Sequence, residues 1–166
     1  MSNQPTSAWS EIRTRNQTVR YRRSGSGPTL LLLDSPGEAG AIWPEVVEML
    51  SVGRRIIHPE PPPSDTEVEQ WLSVLFDALG SSVTVVASDA FCIAALERAL
   101  LEPDRIDRVM LVCRGRGSEG GVRGAIDSVP HLATVPLLVL RRDRPVSEIL
   151  PLVAGFLTSE PEPASA

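Results

Sequence analysis

The stretch Val83-Thr84-Val85-Val86-Ala87-Ser88-Asp89-Ala90-Phe91-Cys92-Ile93-Ala94-Ala95-Leu96 begins as a β-branched run and ends as a helix former. β-Branched side chains fit a strand, whereas alanine and leucine fit a helix. A strand that passes straight into a helix belongs to a domain in which the two element types alternate. Asp89 falls at the corner. A residue there is held exposed above the end of its strand.

The same alternation runs through the rest of the chain. Glu11 to Arg15 and Val19 to Arg23 read as two short strands of a hairpin, joined near Asn16-Gln17. Ser24-Gly25-Ser26-Gly27-Pro28 is a turn by composition. Thr29 to Leu33 is a continuous apolar run, as expected for a strand buried on both faces. Ile42, Trp43, Val46, Val47 and Leu50 then recur at helical spacing.

Arg54 to His58 is a further strand, stopped by Pro59 and Pro61-Pro62-Pro63. Asp65 is a candidate cap for a helix whose apolar face is Val68, Leu72, Leu75, Phe76 and Leu79, ended by Gly80. The helix after Asp89 extends to about Leu101, and Arg108 to Cys113 is the next strand. Gly115 to Gly124 reads as a glycine-rich loop, Pro136 to Leu140 as the last strand, and Val146 to Leu157 as the last helix.

The expected architecture is α/β: a three-layer sandwich with a mostly parallel sheet and an N-terminal antiparallel hairpin. Residues 1–10 are expected to be a flexible N-terminus, 11–157 the domain, and 158–166 a disordered tail rich in Pro, Glu and Ser. Ligands in such sheets bind beyond the carboxyl ends of the strands. Asp34, His58, Asp89, Arg114 and Asp143 all follow strands closely and should converge on one face.

Composition removes several kinds of chemistry. All 16 basic residues are Arg, so no Schiff-base, pyridoxal-phosphate or Walker lysine is possible. A net charge of −5 argues against a nucleic-acid surface. No apolar run approaches the length of a membrane span and the polar start has no signal-peptide core, so a cytoplasmic protein is expected. Cys92 and Cys113 each lie in an apolar segment and read as reduced core residues. No His, Cys and carboxylate cluster has metal-ligand spacing, and no cofactor is expected.

Over residues 11–157 the chain resembles the α/β-hydrolase family. Asp89 stands where that family's G-x-S-x-G elbow has its nucleophile, with Ala87 and Phe91 in place of the two glycines. Leu30-Leu31-Leu32-Leu33-Asp34-Ser35 is similar to the strand ending in the family's His-Gly oxyanion motif, with Asp34-Ser35 in its place. Trp43 matches a common aromatic of the first helix, and Arg54-Arg55-Ile56-Ile57-His58-Pro59-Glu60 a strand usually ending in Pro-Asp. The most specific match is Glu102-Pro103-Asp104-Arg105-Ile106-Asp107-Arg108-Val109-Met110-Leu111-Val112, the link from the nucleophile helix into the next strand. Val135-Pro136-Leu137-Leu138-Val139-Leu140 is similar to the strand before the triad acid, for which Asp143 is the nearest candidate.

The departures matter as much. The family usually carries a cap after the strand ending at Cys113, where this chain has only Arg114 to Thr134, room for a loop and one short helix. The family also places a further strand and a histidine loop before its last helix, whereas Pro145 leads almost directly into that helix. No histidine follows His131. Phe91 is expected to crowd an elbow where small residues are usual.

Two functional readings follow. In the first, Ser-His-Asp hydrolysis is lost and the chain is a small-molecule-binding or accessory protein in a bacterial metabolic or biosynthetic pathway. In the second, Asp89 is catalytic with His58 as a relocated base, in dehalogenase-like or epoxide-hydrolase-like ester chemistry or in a lyase or cyclase step. That pairing requires Asp89 and His58 within about one water of each other. Asp34, Ser35, Ala90 and Arg114 are the candidate substrate contacts. Asp143, set among Arg141, Arg142 and Arg144, reads more readily as a solvated ion-pairing residue than as a triad acid, and His131 as a structural residue. Without a further strand, Pro136 to Leu140 lies near a sheet edge, which invites pairing with a second copy.

Overall fold

The computed structural model describes residues 8–34, 42–63, 67–80, 82–128 and 135–159. Seven strands form one sheet: β1 (Ala8–Arg13), β2 (Thr18–Ser24), β3 (Thr29–Leu33), β4 (Arg55–Pro59), β5 (Val83–Ser88), β6 (Ile106–Cys113) and β7 (Leu137–Arg141). Their spatial order is β1-β2-β4-β3-β5-β6-β7. The hairpin β1–β2 and its junction with β4 are antiparallel, and all other pairings are parallel. The expected three-layer α/β sandwich is present, and β7 ends the described sheet.

Among the described residues five α-helices cover the two faces. Leu30, Leu32, Ile56, Val86, Met110 and Leu140 meet α1 (Pro44–Ser51) and α5 (Val146–Thr158) through Val46, Leu50, Ile149 and Val153. The alternate residues Leu31, Leu33, Ile57, Val85 and Leu111 meet α2 (Val68–Leu79), α3 (Cys92–Leu101) and α4 (Arg116–Asp127). Both sides of the central strands are thus buried, which explains why β3 reads as an unbroken apolar run and β5 as a β-branched one with Thr84 and Ser88 buried in it. No helix among the described residues is long and apolar enough to cross a membrane.

Most strand ends fall within two residues of the expectation, and two larger departures stand out. Strand β1 begins at Ala8 rather than Glu11, so Ala8 to Ser10 are paired, not loose. Trp9 is held there by Arg20 and Arg22, whose guanidinium carbons lie 4.9 and 5.2 Å from its ring centroid. The glycine-rich segment after Cys113 is helical, not a loop. Gly117, Gly120, Gly121 and Gly124 each cost that helix about 1 kcal/mol relative to alanine. Burial of Val122, packing of Ala125 and Ile126, and the Glu119–Arg123 pair at 2.7 Å outweigh that cost.

Candidate functional site

β3 sends its connection to α1 on one face of the sheet, while the neighbouring β5 leads into α3 on the other. The crevice between their carboxyl ends is the switch point at which such sheets bind ligands. Asp34 and Asp89 stand on its two sides.

Asp89 opens one turn of 3-10 helix, Asp89–Phe91, whose first carbonyl accepts from the Cys92 N–H before α3 begins. With a φ of +41°, it is the one non-glycine residue of positive φ among the described residues. That conformation costs an L-residue on the order of 1 kcal/mol, and Asp tolerates it better than most. The corner is therefore a strained elbow, as the strand-to-helix pattern implies. Phe91 does not crowd it. Its ring turns into the core and stacks on Trp71 of α2, centroids 5.7 Å apart. Ala90, next to Asp89, is exposed.

The Asp89 carboxylate lies 3.8 Å from the Arg114 guanidinium, which extends from the end of β6 and is 64% exposed. The Asp89 side chain itself is only 16% exposed, yet with its arginine in solvent and 3.8 Å away the pair contributes little stability, about 0–1 kcal/mol. Asp34 is differently engaged. One of its oxygens accepts from the buried Ser88 hydroxyl at 2.8 Å, and the other from the Ile42 N–H at 3.4 Å. Asp34 thereby ties the end of β3 to the end of β5 and to the chain leading into α1. The Ser88 contact spans 54 residues of sequence, so nothing local could reveal it.

His58 is not brought to Asp89. Ile57 pairs with Leu31, and Leu31 with Val85, so His58 is level with Val86. It therefore stands three residues short of Asp89 and two strands away, about 10 Å in each direction. Its side chain shares a pocket with Leu32 and Val47 on the α1 face. Burial, and secondarily Arg22, push its pKa below the ordinary value, against a weaker opposing pull from Asp34.

The sign of the consequence is fixed. Below an unfolded pKa near 6.5, the unfolded chain takes up the proton before the folded one does. His58 thus withdraws stability as pH falls from about 6.5 through its folded value. The imidazole is expected to titrate below 6.5 by NMR, and His58→Gln to flatten that loss. A midpoint at or above 6.5 contradicts the burial.

Asp143 lies in the turn after β7, held by Arg141 through a guanidinium bond to each carboxylate oxygen, the longer at 2.9 Å. That hydrogen bonding lowers its pKa, and two intervening strand spacings separate it from β5. Arg141 is shared with Glu119 of α4 at 3.7 Å. Cys92 and Cys113 are buried and unbridged, as expected of core thiols. The Cys92 thiol donates to the carbonyls of Ala87 and Val112 at 3.6 and 3.7 Å, and the proximity of the two thiols pushes the Cys92 pKa up and the Cys113 pKa down. Ser35 and His131 lie outside the described residues. Among the described residues no group of three His, Cys, Asp or Glu could hold a metal ion.

No protein-family model matches this chain, and no curated protein does. Solved structures do. The haloalkane dehalogenase DatA from Agrobacterium tumefaciens matches with a TM-score of 0.52 at 19% identity, over 77% of this chain and 51% of that one. The epoxide hydrolase VrEH1 from Vigna radiata matches at 0.51 and 22%, over 64% of this chain and 38% of that one. A protein described as a lipase from Acinetobacter baumannii matches at 0.54 and 22%, over 66% and 42%. At such identities the likeness speaks for the fold alone. The chain has an α/β-hydrolase fold, spanning about half or less of the length of each of these proteins.

Proposed function

We propose that the chain binds a small polar molecule in the crevice between β3 and β5 and does not hydrolyse it, acting as a ligand-binding or accessory protein. The observation that carries this reading is the partner of Asp89, an exposed arginine rather than an imidazole. A carboxylate facing a guanidinium is an ion-pairing group, and ester chemistry at Asp89 needs a base to activate the water that cleaves the ester. Asp34 is already committed to Ser88 and Ile42, so it acts as a brace. Asp89 and Arg114 together offer an acceptor and a donor to a ligand carrying both hydrogen-bonding types.

Ligand-observed NMR with the full chain and a set of amino acids, amides and short diols tests this. At least one member is expected to bind, and to bind at least tenfold more weakly to Asp89→Asn and Arg114→Gln. Binding unchanged in both variants, or none across the set, counts against the reading.

One observation favours a second reading. Asp89 retains a strained backbone, and strain of this kind clusters at reacting groups. In that case Asp89 is the nucleophile or general acid-base of an active enzyme. The base must then come from somewhere other than His58 in its described position.

A further inference from the structure

Beyond the elbow, we infer that Arg22 and His58 form a subsite for a small organic acid on the α1 face of the sheet. The two residues are cross-strand partners, Arg22 on β2 and His58 on β4. They line a pocket of about 180 Å³ with Ser24, and its apolar wall is Leu32, Val47 and Ile56.

The neighbouring arginine shows what is unusual here. Arg20, on the same face of β2, meets carboxylates of Glu11 at 3.8 Å and Glu60 at 3.5 Å. Arg22 has no carboxylate within 4.0 Å among the described residues. Its contact is the face of Trp9, at 5.2 Å from guanidinium carbon to ring centroid. Stacking on an aromatic face orients a guanidinium and leaves its in-plane N–H groups available to fork onto a carboxylate.

Directly opposite, burial and then Arg22 lower the pKa of His58, against a weaker pull from Asp34. A neutral imidazole still offers one N–H donor. An anion between the two adds an attractive partner to both, where a second cation opposite Arg22 would be repelled. The pocket is too small and too apolar on one side for a large polyanion. A carboxylate with a short hydrocarbon body fits it, head on Arg22 and His58, body against Val47 and Ile56.

Titration of the full chain with butyrate, followed on the His58 ring resonances, tests the subsite. Saturable shifts are expected, with binding at least tenfold weaker in Arg22→Gln and several-fold weaker in Arg22→Lys, which keeps the charge and loses the fork. Arg20→Gln should bind within twofold of wild type, because its guanidinium is already paired. Inorganic phosphate should bind more weakly than butyrate. Shifts that never saturate, equal losses in Arg20→Gln and Arg22→Gln, or phosphate binding as tight as butyrate would each overturn the proposal. The NMR spectrum of each free variant reports whether it is folded, and Arg22→Lys keeps the test open if Arg22→Gln is not.

Discussion

Gly27→Ala is expected to destabilise the domain by about 3–5 kcal/mol, enough to unfold a large fraction of a marginally stable chain. Two independent costs combine. Gly27 has a φ of +112°, a conformation L-residues rarely adopt. A Cβ there would also lie 2.3 Å from the Gly53 carbonyl oxygen, far inside contact distance. Neither atom is the end of a flexible side chain, so relief requires moving the backbone that leads into β4. Gly25 repeats the pattern, with a Cβ 2.2 Å from the Arg54 oxygen at a φ of +72°.

The close approach has a purpose. The turn from β2 to β3 lies against 53–55, where the Arg55 N–H donates to the Pro28 carbonyl at 3.0 Å. Gly53→Ala is the internal control. It has positive φ but open space around the missing Cβ, so about 1 kcal/mol is expected. Chemical denaturation followed by circular dichroism separates the two. Equal losses at Gly27 and Gly53 would show that the contact with the backbone is not as close as described.

Trp71→Ala is expected to cost about 3–5 kcal/mol, the usual range for removing a large buried aromatic. Trp71 is 2% exposed and stacks on Phe91, two residues beyond Asp89. The loss therefore falls on the support of the elbow as well as on the core. Trp71→Phe should recover most of the stability, because a smaller ring keeps part of the stack. Denaturation midpoints of the two variants check this. A loss below about 1 kcal/mol for Trp71→Ala would mean that the core collapses readily around the gap.

The fold was legible because its signals are local. Val83 to Leu96 announces a strand, a corner and a helix from composition alone, and the unbroken Leu30 to Leu33 run announces a doubly covered strand. The helix Arg116–Asp127 was hidden by its four glycines, whose propensity says loop. The signal that could have found it was the spacing of Val122, Ala125 and Ile126 with the Glu119–Arg123 pair.

The candidate site was legible only in part. Asp89 could be placed because a corner needs nothing but its two flanks. Its relation to His58 depended on strand order and register, and inserting β3 between β4 and β5 sets the two apart. The brace from Asp34 to Ser88 and the ion pair from Asp89 to Arg114 are likewise products of tertiary structure. Phe91 reads in sequence as an obstruction at the elbow because nothing nearby says that Trp71 will receive its ring.

The central claim, that the elbow binds and does not hydrolyse, is tested most directly by turnover of short-chain aryl esters, epoxides and haloalkanes. Folded full chain and Asp89→Asn are measured side by side against buffer. The account predicts product no faster than buffer from either protein. Turnover by the wild-type chain that disappears in Asp89→Asn would contradict it and establish Asp89 as a reacting group.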